Sequence, residues 1–593
     1  MPARMNPADE KSELPGVAAI FRAGASALQR EDCELWERLL ANSRETLRGD
    51  PTDERARQTG AWCLQKLGRF EEAIVLLAEG AVPGASPGAH LRYINLLEIC
   101  NRTREAIAAA GRALSLFPGN VLLQMKEALL LPVLYDSPEE IESCRDRYTA
   151  GLDRLKGEIR LGTKEERRHA LEALAGHTNV YLAYQGRDDR DLQTSYGRLA
   201  HRIMAANYPQ WTRRIEIPLP FGAEPIRIGY VSSRFRDLSA TRFFLGWLRG
   251  HDRKQFEIHS WHVGQETDMV TGEVRQNSHA FHHMAGSLEQ ICESIRAENL
   301  QVLVFLDLGL DPLMTQLAAL RLAPVQCMAW DHPVTSGLPT IDYALNGALS
   351  EPDGAEAHYF EKLVRLPGVG VSYRKPVIPV PLLRKTRQDF QLQDDSVVYL
   401  CCQSVFKFLP DNDDVFVRIA QRVPRARFVF LVTNSVVGGD LRKRLTRAFS
   451  VAGLCAENHC VLLPQLKHLD YWNLHLVGDI FLDTIGWSSG GSIFEAIACR
   501  LPVITLPGEL ARSRQGYAIL TQLKVTETIA NDKASYVEIA VRLGMDGSLR
   551  EEIVGRMVRG YPLLYSDTRS VTALEEFFRE QACGLRPGDP PAN

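Results

Sequence analysis

The sequence predicts an α + α/β protein in which helical repeats precede two Rossmann-like domains. Three observations lead to this prediction. Before about residue 215, apolar residues recur at helical spacing and β-rich runs are almost absent. Within that part, one segment recurs after 33 residues. After about residue 225, short β-branched runs alternate with amphipathic helical stretches, which is typical of parallel sheets covered by helices.

The composition excludes several classes of protein. The 593 residues are 45% hydrophobic and 24% charged, as in globular proteins, and at roughly 150 residues per domain they suggest three or four domains. A net charge of -4 offers no basic surface for nucleic acid. The amino-terminal end lacks an apolar signal-peptide core and no stretch approaches about 18 uninterrupted apolar residues, so we expect a cytoplasmic protein without a membrane span.

We expect no metal centre from the cysteines and histidines. The 12 cysteines are too sparse for a disulfide scaffold, and no CxxC pair occurs. Cys455, His459 and Cys460 lie close together in the sequence but lack a second pair of ligands at metal-site spacing. His282 and His283 fall in a stretch expected to connect helices, and we interpret both as structural.

The repeated segment indicates helical hairpins. Leu64–Ile74 aligns without gaps on Leu97–Ile107, and this places Ala73 on Ala106. A period near 34 residues with a small residue on the second helix is typical of a tetratricopeptide unit, where the alanine lets two helices approach closely. An irregular helical bundle is the alternative. Repeats of this kind present a concave surface, so we expect this part to hold a protein or peptide.

Two α/β domains are predicted to follow. Residues 14–215 form the predicted helical domain, residues 222–375 the first α/β domain and residues 385–582 the second, with a Pro/Val-rich linker at 367–381. Ligands of such folds bind beyond the carboxyl ends of the strands, so we expect a cleft between the two sheets. The predicted strands are Arg227–Ser232, Glu257–Val263, Val302–Leu308, Cys327–Trp330 and Ile341–Leu345 in the first domain, and Val397–Cys402, Arg427–Thr433, Cys460–Pro464, Asp479–Thr484 and Pro502–Pro507 in the second.

Two segments of the second α/β domain are candidate anion sites. Lys407 follows a predicted strand, together with Gln403, and is well placed to neutralise a diphosphate; an ordinary solvated lysine is the alternative. Six of the seven residues from Gly486 to Ser492 are Gly or Ser, and a helix carrying Glu495 follows. Backbone N–H groups at such a helix start bind anions, although a structural turn is the alternative.

Candidate residues for the other side of the cleft come from two further segments. His332 follows a strand of the first domain and is a candidate base or acceptor-orienting group; a loop histidine bonded to backbone is the alternative. Thr335 and Ser336 come directly after it. Arg512 and Arg514 follow a strand of the second domain at the expected cleft mouth, where a guanidinium group could hold a phosphate or a carboxylate.

Taken together, these segments resemble the bacterial branch of the protein O-GlcNAc transferase family, the SPINDLY-like proteins, which join tetratricopeptide repeats to a GT-B glycosyltransferase. The resemblance covers nearly the whole chain. It is carried by LLLPVLYDSPEEI (129–141), YLAYQGRDDRDLQ (181–193), IMAANYPQW (203–211), IRIGYVSSRFRD (226–237), RLAPVQCMAWDHPVTSGLPTIDY (321–343), QSVFKFLP (403–410), DTIGWSSGG (483–491) and VITLPGELARSR (503–514).

The resemblance implies an inverting, metal-independent transfer of a sugar from a nucleotide diphosphate to a protein side chain. The implied donor is UDP-GlcNAc, with a hexose as the alternative, and no further cofactor; the implied acceptor is Ser or Thr, with Asn as the alternative. Lys407 is then the lysine that binds the diphosphate, and His332, a bound water or a phosphate oxygen assists the acceptor hydroxyl. Thr335, Ser336 and Arg514 are expected on the acceptor side. The implied donor contacts are Gln403, Leu466, His468, Ser488, Ser489, Gly490, Gly491, Ser492 and Glu495.

The sequence also departs from the pattern of the family it resembles. Leu238 stands where a cleft histidine is expected, and Asp331 replaces a glycine. In the phosphate loop, Gly491, Ser492 and Ile493 stand where Asn or His and two threonines are usual. The lost donors each contribute about 1 to 3 kcal/mol where they are buried or charge-assisted. A catalytically silent family member that acts as a protein-binding scaffold is therefore the alternative function.

Overall fold

A computed structural model describes residues 30–215 and 224–584. Residues 14–29, which we assigned to the helical domain, and 222–223, assigned to the first α/β domain, lie outside the described residues. Among the residues described, no helix combines the length and the apolar character needed to cross a bilayer. The helices of the first part are α1 (Arg30–Gly49), α2 (Glu54–Lys66), α3 (Phe70–Ala78), α4 (Pro87–Ile99), α5 (Thr103–Leu116), α6 (Val121–Leu129), α7 (Pro138–Glu158), α8 (Lys164–Ala175) and α9 (Arg190–Asn207), with 3₁₀ turns at Val180–Gln185 and Pro209–Trp211.

The repeated segment forms two equivalent helical hairpins, α2–α3 and α4–α5. The turn between the helices has a left-handed residue at the same repeat position, Gly68 with φ +74° and Asn101 with φ 59°. Glycine adopts this conformation without strain, and asparagine tolerates it better than most residues. Ala73 and Ala106 are fully buried, so the partner helix lies against them as predicted. The predicted helical repeats are confirmed.

The first α/β domain contains a seven-stranded parallel sheet. Its strand order is β3-β2-β1-β4-β5-β6-β7. Two of these strands were missed in the sequence, and one of them carries His282 and His283, which we had wrongly placed in a connecting stretch. Both missed strands lie at the sheet edges, where short or polar strands give a weak pattern. The elements are β1 (Ile226–Ser232), α10 (Ser239–Gly250), β2 (Phe256–His262), α11 (Met269–Gln276), β3 (Ala280–His283), α12 (Leu288–Ala297), β4 (Val302–Phe305), α13 (Pro312–Ala318), β5 (Val325–Ala329), β6 (Tyr343–Gly347) and β7 (Lys362–Leu366).

The second α/β domain contains a five-stranded parallel sheet in the order β10-β9-β8-β11-β12. In both sheets the first strand lies between the second and the fourth, as in Rossmann folds, and the order reverses beside it. The predicted fold class is confirmed. The elements are β8 (Val397–Cys401), α14 (Asp413–Arg422), β9 (Ala426–Val432), α15 (Ser435–Val451), β10 (Cys460–Pro464), α16 (His468–Val477), β11 (Ile480–Leu482), α17 (Gly491–Ala498), β12 (Val503–Ile504), α18 (Gln515–Leu523), α19 (Lys533–Met545), α20 (Gly547–Leu564) and α21 (Arg569–Gly584).

The last helix, α21, packs against the first α/β domain rather than the second, to which we had assigned it. Glu575 accepts a hydrogen bond from the backbone N–H of Asp252 at 2.7 Å, and the hydroxyl of Tyr343 donates to Gln581 at 2.7 Å. The Phe577 ring lies 5.0 Å from that of Tyr343. The helix buries its apolar face in the first domain, so the chain crosses between the α/β domains twice.

Candidate active site

The two sheets direct the carboxyl ends of their strands into one cleft. His332, which follows β5, has its ring 5.2 Å from that of Trp487, which follows β11. Nearby, Phe243 of α10 lies 6.2 Å from Phe494 of α17. Both strand orders reverse at this cleft, between β1 and β4 and between β8 and β11, which is where Rossmann-like folds bind ligands.

The Gly/Ser loop is built on a carboxylate that we did not select from the sequence. Asp483 comes directly after β11 and is 2% exposed. It accepts hydrogen bonds from the Ser488 hydroxyl at 2.5 Å, the Ser489 N–H at 2.8 Å and the Thr505 hydroxyl at 2.7 Å. Burial raises the pKa of Asp483 to about 6 despite these donors. The loop is therefore held in one shape from within, with the start of α17 at its end.

Lys407 lies beside this loop, in a 3₁₀ turn after β8. Its ammonium nitrogen is 5.8 Å from the centre of the Trp487 ring, close enough for a cation–π contact. Burial lowers the pKa of Lys407 to about 8, and the carboxyls of Asp483 and Asp331 oppose that shift. Within the described ranges, Lys407 forms no ion pair, so its positive charge is available to an anion.

Gln403 links the two strands that carry these groups. Its side-chain amide donates to the Leu482 carbonyl oxygen at 2.9 Å, which joins the end of β8 to the end of β11. Its Oε1 atom is buried and has no hydrogen-bond partner in the structure. A buried polar atom of this kind favours a donor from a ligand.

The far end of the cleft is closed by α10 of the first domain. Arg242 pairs with Glu495 at 2.8 Å, and His468 Nε2 lies 2.8 Å from the same carboxylate oxygen. Burial alone would raise the pKa of Glu495, but His468 and Arg242 hold it below its usual range. The closure is tight, because a Cβ atom on Gly490 would lie 2.7 Å from Phe243. Leu466, just before α16, packs its half-buried side chain against the core.

On the first-domain side, His332 is 4% exposed and lies beside two aromatic rings. Tyr184 lies 5.9 Å from it and Trp487 5.2 Å, between ring centres. Its Nε2 atom is buried without a hydrogen-bond partner. Burial, together with the neighbouring cations, lowers the pKa of His332 to about 3. The imidazole is therefore neutral near pH 7, and it can accept a hydrogen bond but binds a proton weakly.

Asp331 replaces a glycine of the family pattern. Its pKa is shifted upward, whereas the pKa of His332 is shifted downward. Burial raises the pKa of Asp331 to about 6, against the charges of Arg234 and Lys407. A carboxyl group with a pKa near neutrality in a cleft is a candidate general base. From the sequence we interpreted Asp331 only as a lost glycine.

Three of the residues predicted on the acceptor side are held by partners within the protein. The Thr335 hydroxyl donates to Glu361 at 2.6 Å and the Ser336 N–H donates to it at 2.9 Å, so both residues serve a structural carboxylate. The Arg514 guanidinium donates to the Gly508 carbonyl oxygen at 3.0 Å and lies over the Tyr517 ring, so its own loop holds it. These partners are local turns and strand ends, and single residue types in a sequence do not indicate them.

The helical domain completes the cleft, which the sequence did not indicate. Tyr184, in the 3₁₀ turn Val180–Gln185, has its ring centre 4.1 Å from that of Trp487. Arg512 pairs with Asp189 of the helical domain at 2.9 Å, and both side chains are almost fully buried. The Arg512 guanidinium also lies 5.6 Å from the centre of the Trp487 ring. Trp487 is therefore packed between a residue of the helical domain and two cations of the second α/β domain.

The sequence pattern of glycosyl transferase family 41 matches residues 208–370 and 375–561, which is more than half of the chain. The chain belongs to this family. In this family 41 protein, the matched ranges include both sheets and the residues around Lys407, the Gly/Ser loop and Glu495. They begin at the end of the helical domain.

Curated relatives and a solved structure agree with this assignment. The protein of Solanum lycopersicum described as a probable UDP-N-acetylglucosamine–peptide N-acetylglucosaminyltransferase, SPINDLY, is 26% identical over 372 residues, which is 61% of this chain and 38% of that one. The SPINDLY protein of Arabidopsis thaliana is 26% identical over 57% of this chain and 37% of its own. The family 41 chain thus spans less than two fifths of these relatives. A mutant of the O-GlcNAc transferase of Thermobaculum terrenum has the same fold, with a TM-score of 0.66, 20% identity and coverage of 96% of this chain and 98% of that one.

Proposed function

We propose that this chain is an inverting, metal-independent protein glycosyltransferase that moves GlcNAc from UDP-GlcNAc to Ser or Thr hydroxyl groups of a protein. Its family, and the activity named for its curated relatives, support this proposal. The observation that carries it is the position of Lys407, a cation without an ion-pair partner among the described residues, beside Trp487 of the Asp483-anchored loop and at the carboxyl ends of β8 and β11. A hexose donor and an Asn acceptor are the alternatives.

In this proposal the second α/β domain stabilises the leaving group. The acceptor oxygen attacks the anomeric carbon while the bond from that carbon to the diphosphate oxygen breaks, and a single displacement of this kind inverts the configuration. Negative charge grows on the diphosphate during the step. Lys407 and the N–H groups at the start of α17 would bind that charge, and preorganised donors of this sort contribute most where charge develops. Lys407 then stabilises the charge of the leaving diphosphate, as a metal ion does in other transferases.

The proton of the acceptor hydroxyl needs a base, and Asp331 is the better candidate of the two residues after β5. His332, with a pKa of about 3, holds a proton too weakly to remove one from a hydroxyl at neutral pH. Asp331, with a pKa of about 6, is ionised at pH 7 and still basic enough to accept it. We therefore assign proton removal to Asp331 and leave His332 to orient the acceptor through its unpartnered Nε2.

The helical repeats would hold the acceptor polypeptide. Their turn at Val180–Gln185 reaches the cleft and contacts Trp487 through Tyr184. The buried Asp189–Arg512 pair fixes the helical domain to the second α/β domain at the same place. A polypeptide bound to the concave surface of the repeats would therefore be delivered next to the donor.

The test is the intact mass of candidate acceptor proteins coexpressed with this chain or incubated with it and UDP-GlcNAc. We expect a mass increase of one or more N-acetylhexosamine units with the wild-type chain and none with Lys407→Ala. Lys443→Ala is the matched control, because that lysine lies on α15 with its side chain 81% exposed. A mass increase of one hexose would show that the transferred sugar is a hexose and not GlcNAc. Transfer by Lys407→Ala at the wild-type rate would refute the role of Lys407.

A second candidate function, the catalytically silent scaffold, is favoured by one observation. Glu495, the carboxylate expected to contact the donor ribose, is already paired with Arg242 and His468, and Phe243 lies against Gly490. Binding of UDP separates the two candidates. At a hundredfold excess over Kd, a ligand stabilises the folded chain by about 2.7 kcal/mol, so a thermal shift with UDP is expected of the transferase. If no nucleotide diphosphate shifts the melting temperature, the scaffold is the function.

A further inference from the structure

Three metal-ligating side chains meet on one face of the first sheet, outside the cleft. His259 belongs to β2, His282 to β3, and Glu298 follows α12 directly before β4. One ligand atom from each residue lies within 4.8 Å of the other two. His259 Nδ1 is 3.3 Å from one carboxylate oxygen of Glu298, and His282 Nε2 is 3.4 Å from the other. β3 and β2 are the two outermost strands on this side of the sheet, so the cluster lies at the β3 edge and not at the cleft between β1 and β4.

Packing holds the two imidazoles in place. Trp261 pairs with His282 across the parallel strands, and the two rings are stacked 4.8 Å apart at an interplanar angle of 8°. The indole N–H of Trp261 donates to Ser294 of α12 at 3.0 Å, which fixes the tryptophan. Ring orientation that is set by the surroundings reduces the entropy lost when a ligand binds.

Three ring nitrogens of this cluster are buried without a hydrogen-bond partner, and two of them face Glu298 at 3.3 and 3.4 Å. His259 is 5% exposed, and neither of its nitrogens has a hydrogen-bond partner; the same is true of His282 Nε2. Burial lowers the pKa of His259, which keeps the imidazole in the neutral form that binds metals. Glu257 Oε2 lies 3.9 Å from His259 Nε2, on the side away from Glu298. That distance is too long for a hydrogen bond, and the same oxygen pairs with Arg227 at 3.2 Å, so Glu257 contributes negative charge behind His259 but does not orient its ring.

The three side chains are close enough together to bind one ion. Zinc binds histidine nitrogen and carboxylate oxygen at about 2.0 to 2.2 Å, so two ligands of a tetrahedral site lie about 3.3 to 3.5 Å apart. The two nitrogen–oxygen separations here are 3.3 and 3.4 Å, and they run to different oxygens of Glu298, so an ion between the histidines would face both carboxylate oxygens. Two histidines and one carboxylate suit zinc among the divalent ions and leave a fourth position to water.

We propose that His259, His282 and Glu298 bind one Zn²⁺ ion, which ties β2 and β3 to the end of α12 at the edge of the first sheet. The role of the ion is structural, because it holds these three elements together. It lies outside the cleft and takes no part in sugar transfer, so the proposal stands whether or not the chain is a transferase.

The test is titration of the metal-stripped full chain with Zn²⁺ by calorimetry, together with thermal unfolding. We expect one tight site in the wild-type chain, a higher melting temperature with Zn²⁺, and binding weakened at least ~10-fold in His282→Gln. His283→Gln is the matched control, because this neighbour on β3 is exposed and hydrogen-bonded to the Gly264 backbone. This variant should bind Zn²⁺ with the wild-type affinity and show the wild-type increase in melting temperature. Equal affinity in His282→Gln and the wild type would overturn the proposal.

Two further measurements keep the result decisive. Cysteine thiolates also bind zinc, so the Co²⁺ complex of the wild-type chain should show tetrahedral d–d bands without a thiolate charge-transfer band; a thiolate band that persists in His282→Gln identifies a different site. If His282→Gln does not fold, Glu298→Gln replaces it, since that side chain is 30% exposed and its loss leaves the stacked rings intact. Wild-type zinc affinity in Glu298→Gln would equally overturn the proposal.

Discussion

The two ends of the cleft in the second α/β domain differ in how ready they are to bind a donor. At the end proposed to bind the diphosphate, Asp483 holds the Gly/Ser loop in one shape and Lys407 has no ion-pair partner among the described residues. At the end proposed to bind the ribose, Glu495 is engaged by His468 and by Arg242 of the other domain. The first end is preorganised, whereas the second must release a contact before a nucleoside can reach it. One pocket can therefore combine a preformed catalytic part with a closed recognition part.

The largest effect is expected from Lys407→Ala, which removes the charge at the preorganised end. Loss of one preorganised stabilising group costs about 10²- to 10³-fold in kcat, and the same substitution should change KM for the donor much less. Steady-state transfer rates with Lys443→Ala as control measure this. If KM rises while kcat stays, Lys407 binds the donor without stabilising the departing diphosphate.

Asp483→Ala should disrupt the preorganisation itself. The substitution leaves the hydroxyls of Ser488 and Thr505 and the Ser489 N–H without their buried acceptor, and we expect the free energy of unfolding to fall by about 2 to 4 kcal/mol. Denaturant unfolding measures the change. Thr505→Val, which removes a single hydroxyl, should cost about 1 kcal/mol. Equal losses in the two variants would show that Asp483 does not organise the loop.

The pH dependence of kcat/KM should report the two titrating groups of the cleft. Asp331 must be ionised and its pKa is about 6, so activity should fall below that pH; Lys407 must be protonated and its pKa is about 8, so activity should fall above it. On each side of the maximum, kcat/KM should fall by close to tenfold per pH unit. Asp331→Asn should lower the maximum and remove the acid limb. An acid limb that persists in that variant would assign it to another carboxyl, such as Asp483.

The smallest effect is expected from Arg242→Ala, which opens the ribose end. Release of Glu495 lets it hydrogen-bond to the ribose, and a charged hydrogen bond of about 1.5 kcal/mol corresponds to UDP binding up to ~10-fold tighter. Calorimetric titration with UDP measures this. Arg249→Ala is the control, since it lies on the same helix and pairs with Glu273 outside the cleft. Weaker binding in Arg242→Ala would mean that Arg242 contacts the donor instead of excluding it.

Most of the fold could be predicted from local patterns. The buried runs of the inner strands gave clear signals, because parallel strands covered on both faces are almost continuously apolar. β3 and β7 were missed because they lie at sheet edges, with half-exposed polar residues such as His282 and Arg365. The packing of α21 against the first α/β domain was also missed. Its amphipathic pattern shows that one face is buried but does not show which domain covers that face.

The site could be predicted where the residues come directly after a strand. Lys407, Gln403 and the Gly/Ser loop were selected in this way, since carboxyl ends of parallel strands define the cleft, and their roles stay predictions. Thr335, Ser336 and Arg514 also follow strands, but their side chains turn to partners in the protein. Position after a strand thus identifies the edge of the cleft, and hydrogen bonding decides which side chains remain available to a ligand.

The sequence by itself determined the helical repeats, the two Rossmann-like domains and the loops that border the cleft, because each depends on residues close together in the chain. Only the tertiary structure decided that Arg242 pairs with Glu495, 253 residues away, and that Tyr184 and Asp189 of the helical domain reach Trp487 and Arg512. It also brought His259, His282 and Glu298 together. These contacts join side chains on different elements, and their chemistry exists only once packing has fixed distance, burial and charge.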